Sequence, residues 1–257
     1  MKKLILWALS LFLCVGCVKE SEQVVENVSQ KQNLRGKIKV IREFSFKASE
    51  KLGQFVKEKL QGEAYSIFDE KGNIVEETYY SNYKSIFKYD NKGNITEQHL
   101  YTGEGSYEGK YIYKYDEKGN ITEEHEYKKE GNYGGKTIFK CDEKGNIIEE
   151  HEYKKEGNYE RKFIFKYDEK GNRIEKHEYY SGYAGKTIYK YDEQQNIISE
   201  IDYDSKGALL RKKIHIYQKY DSHGNWTKKV FYKDVMYSNA IDSDEITIFE
   251  REITYYK

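Results

Sequence analysis

Residues 111–127 read YIYKYDEKGNITEEHEY. Ring and polar residues alternate with a period of two, and Asp116-Glu117-Lys118-Gly119-Asn120 interrupts them at the centre. A period of two is a strand signal, and Gly119-Asn120 would break a helix. The interruption is a turn with a physical cause. Asp116 accepts hydrogen bonds from the backbone ahead of it, two polar residues follow in the right-handed region, and Gly119 takes the left-handed conformation that other residues resist. The result is a three-residue hairpin loop closed by a glycine bulge, with Asp116 opposite Asn120. Counting outward, the expected register sets Tyr115 against Ile121, Tyr113 against Glu123 and Tyr111 against His125. On the other face it sets Lys114 against Thr122, Ile112 against Glu124 and Lys110 against Glu126.

The phrase recurs. Its aspartates are Asp69, Asp90, Asp116, Asp142, Asp168, Asp192 and Asp221, spaced by 21, 26, 26, 26, 24 and 29 residues. Self-similarity in this range marks a repeat architecture. The turn glycines are Gly93, Gly119, Gly145, Gly171 and Gly224, while one copy carries Gln195 instead and is expected to be the most strained. A partial copy, YDSKGAL, runs from Tyr203 to Leu209. Earlier in the chain, residues 37–60 are expected to form a hairpin with its loop at Ala48–Gly53. Met236–Asp244 reads as a longer, less regular loop before a last strand at Ile246–Tyr256.

Composition agrees with strands rather than a compact oily core. Tyr numbers 27 and Phe 11, and Pro is absent while Gly numbers 20, so the turns are glycine turns. Tyr favours pleated, half-buried surfaces, where its ring packs and its hydroxyl stays wet. Forty-four basic residues balance 44 acidic ones, which leaves no field to steer a nucleic acid.

The first residues look like an address. Lys2-Lys3 is followed by an apolar run over residues 4–13, too short to span a bilayer but suited to a signal-peptide core. Gly16-Cys17 then resembles a bacterial lipobox, with Cys17 as the acyl acceptor and new N-terminus; Cys14 departs from the usual Leu. Two acyl chains plus an amide-linked third hold a protein on a membrane, where one chain alone binds marginally. Three segments are therefore expected: residues 1–17 as lipoprotein signal with lipidated Cys17, 18–36 as a polar tether, and 37–257 as the hairpin-repeat domain. With Cys17 acylated, Cys141 would be the one remaining thiol and no intrachain disulfide could form.

The Tyr-Asp-x-x-Gly-Asn phrase resembles the YD repeats of Rhs-type bacterial surface proteins. YDSHGNWT at Tyr220–Thr227 and EREITYY at Glu250–Tyr256 look like the end of small YD-repeat lipoproteins of Bacteroidetes. The resemblance covers roughly residues 37–257. It implies long antiparallel sheets that coil, in some members into a hollow shell that encloses a toxic C-terminal domain. Because the repeats run to the end of the sequence, that enclosing role is not expected here. MORN-type repeats are a second likeness, with the same hairpin but a different glycine pattern. The expected fold is all-β: about 16 strands in tandem β-hairpin repeats, forming an extended, twisted and coiled antiparallel sheet.

The candidate binding face follows from the expected register: Tyr113, Glu123, His125, Phe139, Glu149, His151, Phe165, Glu175 and His177. Rings could stack on sugars while carboxylates bind hydroxyls. The histidines could suggest a metal, but equivalent residues in successive hairpins lie two strands apart, roughly 9.5 Å, too far to chelate. The same slot holds Thr78, Ile201 and Val230, so it reads as a packing slot. Paired carboxylates could suggest a glycosidase, yet the copies are equivalent and no pair has an environment of its own. Neither nucleophile elbow, phosphate loop nor Cys/His cluster is present in the sequence. No cofactor, metal or catalytic residue is expected. The expectation is an exported lipoprotein of the outer membrane, on its periplasmic or cell-surface side. It would be a non-enzymatic binding or scaffold module for glycan or protein. The rival is an immunity-type or structural partner acting by edge-strand addition.

Overall fold

The computed structural model describes residues 34–79, 83–235 and 245–257. The expected signal, the expected lipidation site at Cys17, most of the expected tether and the expected loop within 236–244 lie outside the described residues. Sixteen strands follow one another: β1 (Ile38–Lys51), β2 (Gln54–Phe68), β3 (Ile74–Tyr79), β4 (Tyr83–Tyr89), β5 (Ile95–Thr102), β6 (Tyr107–Tyr115), β7 (Ile121–Lys128) and β8 (Tyr133–Cys141) form the first half. The second half is β9 (Ile147–Lys154), β10 (Tyr159–Tyr167), β11 (Arg173–Tyr179), β12 (Tyr183–Tyr191), β13 (Ile197–Asp204), β14 (Leu209–Tyr220), β15 (Trp226–Val235) and β16 (Glu245–Tyr255). Each pairs antiparallel with its sequence neighbours.

The sheet does not stay open as expected. β1 pairs with β16 from Ile38 opposite Tyr255 to Ala48 opposite Ile246, and the ladder closes into a barrel. Two features drive the closure. Bulges recur at nearly every hairpin, and each bends its strand and increases its twist. The terminal strands are also long and apolar enough to seal against each other, with Ile248 and Val230 fully buried at the seam. Closure removes every edge among the described strands, so partner recognition by edge-strand addition has no template here.

The phrase turns form as expected. Asp116 N–H donates to Asn120 O at 2.8 Å, Gly119 N–H donates to Asp116 O at 3.0 Å, and Gly119 has φ +85°. Asp116 Oδ1 accepts from Asn120 N–H at 2.8 Å, and Asn120 Nδ2 donates to Asp116 Oδ2 at 2.7 Å. Gln195 adopts the same left-handed region, with φ 65°. All seven phrase turns lie on one rim. The opposite, distal rim carries hairpins of the same build, such as Lys128–Asn132, and the partial copy at Asp204–Ala208 is one of these. The 37–60 segment is the expected hairpin, with its turn narrowed to Leu52-Gly53.

In most copies the tyrosine of the phrase ties one hairpin to the one before, and in the last copy Tyr217 takes this place instead of Tyr220. Tyr89 donates its hydroxyl to Ile74 O, Tyr115 to Ile95 O, Tyr167 to Ile147 O, Tyr191 to Arg173 O and Tyr217 to Ile197 O, at 2.7–3.1 Å. Tyr256 donates to Phe68 O at 2.6 Å and completes the belt across the closure. Cys141 occupies the same slot with its thiol 3.8 Å from Ile121 O, in keeping with a packing substitution.

Candidate functional site

The register past the turn differs from expectation in one decisive respect. Tyr115 pairs with Ile121, but Lys114 pairs with Glu123, so Thr122 is an extra, bulged residue. Every pairing beyond it is shifted by one: Tyr113 faces Glu124, Ile112 faces His125 and Tyr111 faces Glu126. A shift of one exchanges the two faces of the second strand. The same bulge recurs after the other phrase turns, for example at Ile148 between the pairs Cys141–Ile147 and Lys140–Glu149.

The expected binding face is therefore split. Tyr113, Phe139 and Phe165 point into the barrel, where Tyr113 is 5% and Phe165 is 4% exposed. Glu123, Glu149 and Glu175 stand on the outer wall with His125, His151 and His177. There each Glu binds the lysine opposite it: Lys114 Nζ to Glu123 at 2.8 Å, Lys140 to Glu149 at 3.1 Å and Lys166 to Glu175 at 2.7 Å. Each also holds the His two residues on, with Nε2 at 2.7–2.8 Å. The lysine and histidine contacts hold the carboxyls of Glu123 and Glu175 down to about 2. For Glu149 the His151 contact leads, with the same result. Further along, the His rings meet tyrosine: His125 is 6.0 Å from Tyr133, itself edge-on to Tyr127 at 5.8 Å. No group of three or more metal-ligating side chains comes together among the described residues.

The inner wall is built from the residues that the bulge turns inward. At one level each hairpin sets a ring beside a polar group: Phe87 beside Gln98, Tyr113 beside Glu124, Phe139 beside Glu150 and Phe165 beside Lys176. Tyr189 beside Glu200 and Tyr217 beside Lys229 continue the pattern. One level nearer the distal rim lie Tyr111 with Glu126, and Thr137 with Glu152, whose carboxylate takes Arg161 Nε at 2.6 Å. Tyr113 donates its hydroxyl to Gln98 Oε1 at 2.9 Å. Burial against this concave wall pushes the carboxyl of Glu124 up to about 7, helped by the negative charge of Glu150. Burial does the same to Glu150, opposed by Arg173. Neither glutamate is fully enclosed, since both keep partial exposure toward the interior. Porin barrels of sixteen to eighteen strands leave an aqueous channel.

Expectation missed Glu124, Glu150 and Lys229, each placed inward by a bulge or a shifted pairing. A signal for them was present. Ile147-Ile148, Ile197-Ile198 and Ile74-Val75 put two apolar residues in succession just after the turn, which breaks alternation where a bulge sits.

No family model matches the chain, and no curated protein matches it. Among solved structures, a porin-like protein from Bacteroides uniformis superposes with a TM-score of 0.58 at 11% identity, covering 84% of this chain and 96% of that one. A TcdB2-TccC3-Cdc42 structure matches at a TM-score of 0.34 and 14% identity over 80% of this chain, which spans 11% of that one. A DUF1329 family protein from Desulfovibrio piger matches at a TM-score of 0.29 and 8% identity, covering 89% of both chains. The first of these likenesses is one of fold: a closed, all-β barrel. The outer walls of membrane barrels carry an apolar band about 25 Å tall. Here the outer wall carries Lys110, Lys136, Lys162 and Lys186 at mid-strand, opposite His99, His125, His151 and His177, where a lipid-facing lysine would cost about 2–4 kcal/mol.

Proposed function

We propose that the chain is an exported lipoprotein, anchored through Cys17 to the outer membrane, whose barrel stands in water as a non-enzymatic binding module for glycan. The carrying observation is the inner wall, where every hairpin from β4 to β15 sets an aromatic ring beside a hydrogen-bonding or charged side chain. Rings stack on the apolar faces of sugars, and carboxylates and amides bind their hydroxyls. The charged outer wall supports a barrel beside the bilayer rather than through it. Binding is favoured over hydrolysis because the carboxylates recur from hairpin to hairpin and no single pair stands apart.

Glycan-array binding by the purified barrel, followed by calorimetry on the best ligand, tests the reading. Tyr189→Ala, at a half-buried inner ring, and Glu150→Gln should each weaken binding at least tenfold, while Tyr133→Ala and Glu149→Gln on the outer wall should leave it unchanged. Loss of binding through the outer pair alone would move the site to the outside and favour a protein partner. Absence of any glycan ligand would end the reading.

A further inference from the structure

The inner slot that holds Glu124, Glu150 and Glu200 in other hairpins holds Lys229 on β15. Its surroundings are aromatic. Nζ lies 4.6 Å from the centre of the Trp226 ring, 4.9 Å from Phe249 and 6.0 Å from Tyr217. Among the described residues it has no hydrogen bond and no carboxylate within ion-pair distance. Each nearby carboxylate is already engaged: Glu43 takes Arg251 Nε at 2.8 Å, and Glu200 takes Lys213 Nζ at 2.8 Å and His215 Nε2 at 3.1 Å. The Lys229 ammonium is thus an unmatched charge on a half-buried wall. Burial lowers its pKa to about 8, as expected for a cation without a counter-ion.

Arg251 lies beside it, its guanidinium 3.5 Å over the Trp226 ring. With Nε held by Glu43, the terminal nitrogens of Arg251 make no hydrogen bond to the described residues. A planar guanidinium donates to carboxylates in pairs, and the indole beneath holds both cations in place. About half the ring away, Glu124 and Glu126 on β7 and Glu150 and Glu152 on β9 are interleaved with Arg161 on β10 and Lys176 on β11, so the cations there already have carboxylates at hand.

We propose that Lys229 and Arg251, seated on Trp226, form an anion subsite on the lumen wall that takes the carboxylate of an acidic sugar. This rests on the glycan reading above and names its ligand class. A neutral glycan would leave the ammonium unmatched, whereas a uronic acid supplies the counter-ion.

Trp226 is itself the reporter. The full chain in detergent, carrying Trp7→Phe, has Trp226 as its one indole. It is titrated with trigalacturonate, with the methyl ester of the same trisaccharide and with sodium sulfate, following tryptophan emission. The expected result is a saturable change with the acid, at least tenfold weaker with the ester and with Lys229→Gln, and little response to sulfate. Lys229→Gln should melt no lower than the parent, which separates lost recognition from lost folding. Equal binding of acid and ester, or unchanged binding in Lys229→Gln, overturns the subsite. If Tyr189→Ala still weakens both sugars in that case, the general glycan reading survives. Sulfate binding as tightly as the trisaccharide reduces the site to a simple anion pocket and overturns the sugar assignment. No emission change with the acid overturns the proposal outright.

Discussion

Truncating Tyr113 and truncating Lys114, neighbours in sequence, should have very different consequences. Tyr113 is 5% exposed, packs in the cluster with Ile95 and Ile121, and donates its hydroxyl to Gln98 Oε1 at 2.9 Å. Deleting a buried ring costs about 3–5 kcal/mol, because the cavity only partly collapses. Leaving Gln98 without its donor adds about 1 kcal/mol. Tyr113→Ala should therefore lose about 4–6 kcal/mol, enough to unfold many domains outright. Lys114 projects outward with its side chain 57% exposed, and its one ion pair reaches Glu123 at 2.8 Å. Exposed pairs are worth about 0–1 kcal/mol, so Lys114→Ala should be nearly silent. One hairpin on, half-buried Phe139 and exposed Lys140 should repeat the contrast with a smaller gap. The assay is urea unfolding followed by circular dichroism, with Tyr113→Phe as a control that removes only the hydroxyl. Similar losses in Tyr113→Ala and Lys114→Ala, or a larger one for the lysine, would invert inside and outside and remove the lumen site with them.

Three further outcomes are expected. Folding raises the carboxyl pKa of Glu124 and Glu150 to about 7, so the native chain holds those protons more tightly than the unfolded one. Their contribution is favourable at low pH and is lost as pH rises from about 4.5 to about 7. Folding depresses the outer Glu123, Glu149 and Glu175 to about 2, and they lose their contribution as pH falls below about 4.5. Melting temperature against pH should therefore peak near 5, and Glu124→Gln with Glu150→Gln should flatten the alkaline side; an unchanged slope would count against the inward placement. Gln195→Gly should stabilise by about 1 kcal/mol, because Gln195 sits at φ 65° where glycine is at ease, whereas Gly145→Val should cost more than about 1 kcal/mol. A calorimetric scan showing no gain for the first or no loss for the second would contradict the turn. Cys17→Ser should abolish palmitate incorporation and release the protein from the membrane fraction; retention of both would end the lipoprotein assignment.

The turn chemistry, the strand count and the identity of the inward rings were legible in the sequence because each rests on local rules. Asp116, Gly119 and Asn120 fix a loop with their own side chains and backbone, and Tyr111, Tyr113 and Tyr115 follow from the period of two. The partners of those rings were not legible, since a single extra residue at Thr122 reverses everything after it. Its cause is local as well: Thr122 Oγ1 donates to Lys114 O at 3.2 Å, and Lys114 gains Glu123 in place of a hydroxyl. Charge pairing and steric pairing therefore select the same bulge, and together they turn the second glutamate of Glu123-Glu124 inward. Closure depends on residues farther apart still, since Ile38 meets Tyr255 across nearly the whole described chain. A binding strip read from alternation alone mixed two walls of the barrel. The bulge gives the paired glutamates separate tasks, one closing an outer ion pair and the other facing the lumen. Lysine takes the inner place at Lys176 and at Lys229, and Lys229, beside Arg251 and without a paired carboxylate, is the strongest pointer to what the lumen holds.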